Sequence, residues 1–79
     1  LAYQPGKLLV RGDTPLFKVE RLLGIDLDHV EADTLAGLIY EALNRVPEEE
    51  EVLEAEGLRI IVKKMKGPKI LLAKVLKLD

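Results

Sequence analysis

Cysteine and serine are both absent from the 79 residues. Without cysteine there is no disulfide or thiolate metal cluster to staple a core that is marginal at this size. The same absence is compatible with a reducing compartment. With serine missing too, the usual nucleophiles are gone, and Thr14 and Thr34 stand where helix starts are predicted, which gives them a structural reading. The single histidine, His29, has no partner for acid–base work in the pattern. Catalysis is therefore not expected. Tyr3, Phe17 and Tyr40 are the only aromatics, too few for a base-stacking platform, so nucleic acid is not expected as a partner. No apolar run approaches the roughly 20 residues that span a bilayer, and no signal-peptide pattern opens the chain. There is no Gly-x-Gly-x-x-Gly, and the glycines are scattered in turns. The chain begins at Leu1, not Met, so a fragment of a longer protein is expected.

What is present is one domain's worth of residues, 48 % of them apolar, with a core to be built from Leu, Ile and Val. Charge is segregated along the chain. From Asp26 to Glu56 only Arg45 opposes a run of acids that includes Glu48 to Glu51. From Leu58 to Leu78 there are seven cations, Arg59, Lys63, Lys64, Lys66, Lys69, Lys74 and Lys77, and no acid.

The strongest periodic signal lies between Asp33 and Pro47. Leu35, Leu38, Ile39, Ala42, Leu43 and Val46 form one helical stripe, with Asp33 as cap, Arg45 in the last turn and Pro47 as stop. The other face holds Gly37, Tyr40, Glu41 and Asn44, and a mid-helix glycine costs about 1 kcal/mol relative to alanine. Before it, Leu1 to Gly6 reads as a linker or frayed end and Lys7 to Arg11 as a strand. Thr14-Pro15 opens a first helix that runs from Pro15 to Leu23 and is stopped by Gly24. Ile25 to Ala32 is an acidic connector. Val52 to Glu54, Leu58 to Met65 and Ile70 to Leu78 read as further strands, with turns at Ala55-Glu56-Gly57 and Lys66-Gly67-Pro68-Lys69. In the last strand Lys74 falls among inward leucines. Either it lies at an edge and snorkels, or a bulge near Ala73 shifts the inward set to include Val75, which is the reading preferred. The expected fold class is α+β, a small mostly antiparallel sheet of about four strands with two helices on one face.

This pattern resembles the transporter-associated domain that ends CorC/HlyC-type proteins, hemolysin-like and magnesium-cobalt efflux proteins built around paired CBS modules. Val10-Arg11-Gly12-Asp13-Thr14-Pro15-Leu16 is similar to its strand–glycine–helix opening. Asp33-Thr34-Leu35-Ala36-Gly37-Leu38, followed by Asn44-Arg45-Val46-Pro47, resembles its second signature. Gly57-Leu58-Arg59-Ile60 and Lys69-Ile70 fit its closing hairpin. Two positions depart: Glu48 to Glu51 replace the family's turn glycine, and Ile60 stands where phenylalanine is frequent. The resemblance implies a domain spanning residues 7–79 on the cytoplasmic face of a membrane-associated parent, after the CBS pair. Its implied role is to regulate ion transport or efflux without catalysis. It also implies an alternative, a module binding FAD or an adenine nucleotide, because the fold is likened to a subdomain of flavin oxidases.

Four surface features carry competing readings. Asp26, Asp28, Glu31 and Asp33, with His29 among them, are the only metal-type grouping: a weak magnesium or calcium site, or a solvated loop. Ala36, Gly37, Tyr40 and Asn44 form either a docking face for the CBS module or a second copy of the domain, or the cover of this domain's own core. The lysines of the closing hairpin face an anionic membrane surface, or protect sheet edges. Glu48 to Glu51 read as a solvated charge run.

Overall fold

Leu8 and Val10 alternate with Lys7, Leu9 and Arg11, and this period of two makes a strand with one buried face. The computed structural model describes residues 2–4 and 6–78; Leu1, Pro5 and Asp79 lie outside them. In chain order the elements are β1 (Ala2–Gln4), β2 (Lys7–Arg11), α1 (Leu16–Leu23), α2 (Leu35–Leu43), β3 (Val52–Ala55), β4 (Leu58–Lys66) and β5 (Lys69–Lys77). They form one sheet in the order β1-β2-β5-β4-β3, antiparallel throughout. The expected α+β class is what the chain adopts, with both helices packed on one face of the sheet through Leu16, Val19, Leu23, Leu35, Leu38 and Ile39.

The lead-in corrects one expectation. Ala2–Gln4 is not a linker but a fifth strand, with Tyr3 registered on Leu8 and Gln4 on Lys7. Three residues are too few to show a periodic pattern, and what recruits them is the row of unpaired backbone groups on the outer side of β2.

The second helix is shorter than its apolar stripe. Thr34, not Asp33, is its N-cap, with the hydroxyl accepting from the Gly37 amide at 3.2 Å. Asn44 ends it in the left-handed region at φ 55, its amide donating to the Tyr40 carbonyl at 2.7 Å. The stripe therefore stops at Leu43. Ala42 is exposed, Val46 is 49 % exposed, and Arg45 has left the helix. Helix α1 likewise starts one residue later than expected, with Pro15 at the cap position and no side-chain cap.

The missing cap is replaced by backbone. The two helix starts lie side by side and satisfy each other: Leu16 N–H donates to the Asp33 carbonyl (2.9 Å), Leu35 N–H to Thr14 (3.0 Å) and Ala36 N–H to Gly12 (2.8 Å). Helices leave their first amides without intrahelical partners, and this reciprocal clamp supplies several at once. Gly12 also donates to the Leu71 carbonyl of β5 at 3.2 Å. A Cβ on Gly12 would meet the Ile70 carbonyl oxygen at 2.2 Å, so only glycine lets the clamp sit this close to the sheet.

The closing hairpin contains the irregularity foreseen for β5. Val62 pairs with Ala73, Lys64 with Leu72 and Met65 with Ile70. Each strand thus carries one extra residue, Lys63 on β4 and Leu71 on β5. The shift turns Ala73 and Val75 inward beside Ile70 and leaves Lys74 on the opposite face. The bulge lies just before Ala73.

The glutamate run does more than sit in water. β3 ends its pairing at Ile61, so the rest of β4 would present an open edge. Instead Glu50 N–H donates to the Val62 carbonyl (2.6 Å), Val62 N–H to the Glu51 carbonyl (2.9 Å) and Met65 N–H to Glu49 Oε2 (2.8 Å). Lys63 Nζ donates to Glu50 Oε1 at 2.8 Å. Arg45 forks onto the Glu51 carboxylate, which also accepts from the Glu48 amide at 3.0 Å. Those bonds, Arg45 first, hold the Glu51 carboxyl down at about 2 from its ordinary 4.5.

Two outcomes test this description. Gly12→Ala should cost about 1–3 kcal/mol in urea unfolding, as overpacked sites do; an unchanged midpoint would show that β5 can retreat freely. Glu51 stabilises the fold fully above pH 4.5, and this contribution is lost as pH falls toward about 2. The stability gap between the parent chain and Glu51→Gln should therefore shrink across that window, and a gap independent of pH would contradict the assignment.

Candidate functional site

Gly24 ends α1 in the left-handed conformation at φ 67, which turns the connector back across the last helical turn. As a result the Leu27 amide donates to Glu20 Oε2 at 2.7 Å, and Leu27 enters the core. Asp26 folds over its own backbone, Oδ1 accepting from the Asp28 amide at 2.8 Å. These turns bring one carboxylate oxygen each from Glu20, Asp26 and Asp28 within 4.8 Å of one another.

Of the four residues expected to form a metal site, the structure gathers Asp26 and Asp28. Glu31 and Asp33 fall outside the group, and the Asp33 carbonyl serves the helix clamp. Glu20 was missed because it belongs to a helix and stands outside the acidic run. Its signal was Gly24: a left-handed helix stop predicts that the next residues cross the preceding turn. Glu20 is half-buried and the two aspartates are exposed. Three carboxylates this close form an oxygen-only cluster suited to a hard cation.

His29 points away from any such role. It pairs with Glu56 of the β3–β4 turn, and that hydrogen bond, then the Glu56 charge, raises the imidazole above its ordinary 6.5. Asp26 and Asp28 add smaller contributions of the same sign. The contact ties the connector to the far edge of the sheet.

The expected docking residues have internal contacts. Ala36 and Tyr40 are half-buried against the core, and the Tyr40 hydroxyl donates to the Pro68 carbonyl in the β4–β5 turn. A Cβ on Gly37 would lie 3.0 Å from the Ala32 methyl, so the glycine lets the connector pass close to α2. Only Asn44 is exposed.

A recess of about 190 Å³ opens between Arg11–Asp13 and Lys69–Leu71. Its rim is an ion pair closed on itself, with Arg11 Nε and Nη2 each 3.0 Å from an Asp13 oxygen. The pair lowers the Asp13 pKa and raises that of Arg11.

Known proteins share this fold. A UPF0053 protein of Haemophilus influenzae is 33 % identical over 73 residues, covering 92 % of this chain. The chain spans only 17 % of that relative's length. The transporter-associated domain of a CBS domain protein from Porphyromonas gingivalis superposes with a TM-score of 0.81 at 26 % identity, over 98 % of this chain and 94 % of that one. A CorC_HlyC domain of a Xylella fastidiosa hemolysin, solved in complex with Mg++ and Mn++, has the same fold at 24 % identity and a TM-score of 0.81, over 100 % of this chain and 96 % of that one. The family model described as the transporter associated domain, CorC_HlyC, matches residues 3–79, and the chain belongs to that family.

Proposed function

We propose that this domain is a non-catalytic regulatory and contact module of a longer, CBS-containing, membrane-associated protein that moves magnesium or cobalt, held on the cytoplasmic face of the membrane. The observation that carries this reading is the match over residues 3–79, joined to a relative of which the chain is 17 %. The geometry supports it from within. Within the residues that bear the resemblance, Gly12, Thr14, Leu16, Asp33, Leu35 and Ala36 give backbone groups to the clamp, a folding role for this part of the signature. The recess found among the described residues gives the flavin or adenine-nucleotide alternative no support. The recess beside Gly12 holds about 190 Å³, below the roughly 300–1,000 Å³ of small-molecule sites. Deleting residues 3–79 from a full-length parent should alter divalent-ion efflux while leaving membrane insertion intact. Efflux identical to that of the intact parent would remove the regulatory reading.

A second reading rests on the carboxylates of Glu20, Asp26 and Asp28, whose oxygens lie within 4.8 Å of one another. In this reading a divalent cation binds there, and the Xylella fastidiosa domain of the same fold was solved in complex with Mg++ and Mn++. Paramagnetic Mn2+ should broaden the amide resonances of Glu20 and Asp26 to Asp28 first, and Asp28→Asn should weaken the effect. Broadening spread evenly over the acidic residues would sink the site.

A further inference from the structure

The two helices cover one face of the sheet, and the other face has an ordered pattern of its own. Across the strands, Val52, Ile61, Lys74 and Leu9 form one row by register. On one side of it Leu76 sits between Lys7 and Arg59, and on the other Leu72 sits between Arg11 and Lys64. Val52 is 54 % exposed and the other aliphatics of these rows are half-buried. A solvated sheet face ordinarily alternates toward polar residues, and this one is aliphatic and basic.

The charges on it are mostly positive, with Glu54 of β3 registered beside Arg59 as the acid of these rows. Arg59 is paired with Glu54, and Arg11 with Asp13. Lys7, Lys64 and Lys74 have no ion pair among the described residues. The acids from Asp26 to Glu41 belong to the connector and helix layer on the other side of the sheet.

From this we infer that the helix-free face of the sheet docks onto an anionic lipid surface, with Lys7, Lys64 and Lys74 reaching lipid phosphates and the aliphatic rows lying at the headgroup level. Charge complementarity selects this occupant. A second copy stacked face to face would bring a second set of unpaired lysines and, among the described residues of these rows, no unpaired acid to meet them. A protein partner is usually gripped by aromatic anchors in pockets, and the described side chains of these rows are aliphatic or charged. A layer of many phosphates instead suits dispersed ammonium groups, which act additively near such a surface. The inference does not rest on the efflux reading, because vesicle binding is a property of the 79-residue chain alone.

Co-sedimentation with phosphatidylcholine vesicles, with and without phosphatidylserine, tests it. Binding is expected only with phosphatidylserine, and it should weaken as salt rises. The double variant Lys7→Ala, Lys74→Ala should lose roughly 25-fold in partitioning, about fivefold per lysine, while keeping its circular dichroism spectrum. The control Lys18→Ala, Arg21→Ala on α1 removes the same charge from the other side and should bind nearly as the parent does. Equal binding to both vesicle types, no binding to either, or an equal loss in the control would overturn the proposal. So would amide shifts at Lys7, Lys64 and Lys74 caused by poly-glutamate but not by phosphatidylserine vesicles, since those would assign the face to an acidic protein. If the double variant does not fold, the lipid and salt dependence of the parent chain still decides.

Discussion

Three backbone hydrogen bonds between Gly12–Leu16 and Asp33–Ala36 hold the two helix starts together, and a fourth ties Gly12 to β5. The remaining architecture follows from this clamp. It fixes where the chain leaves β2, where α2 begins, and how far both lie from the central strand of the sheet. Each such bond contributes about 1 kcal/mol net, but a buried amide left without a partner costs about 1–3 kcal/mol. The clamp is therefore chiefly a way to avoid orphaned groups at two helix ends in a domain too small to tolerate them. It also gives Gly12 and Thr34 of this chain their parts. Gly12 makes room for the Ile70 carbonyl, and Thr34 caps the amide of Gly37, beyond the reach of the clamp.

Signals that repeat within one element were legible. Strand alternation in Lys7–Arg11 and helical spacing from Leu35 to Leu43 required no partner to be recognised. The bulge in β5 was legible because Lys74 broke the parity of its strand. Signals that exist only between elements were not. Glu20 joins Asp26 and Asp28 through a chain reversal at Gly24. β1 exists because β2 has an unpaired side, and Thr34 caps α2 because Asp33 gives its carbonyl to Leu16. The overlong reading of α2 has a different cause. Proline is an absolute stop, whereas Asn44 in the left-handed region ends a helix by a local preference that apolar periodicity does not register.

The acidic half of the chain divides its labour. Glu49, Glu50 and Glu51 take up the open side of β4, Glu56 tethers the connector through His29, and Asp26 shapes its own turn. Segregated charge along the sequence thus becomes internal wiring on the acidic side. On the basic side Lys63 is the hairpin lysine paired with an acid among the described residues. That contrast is the ground on which the lipid contact is proposed for the lysines.

The order of strand lengths governs which edges the sheet exposes. The nine-residue strands β4 and β5 lie inside the sheet, while its borders are β1 with three residues and β3 with four. Where β4 outruns β3, glutamate side chains and backbone occupy the gap. Neighbouring copies crowded together in one assembly would find little continuous border on which to add a strand. The fold thereby leaves little edge open to strand addition.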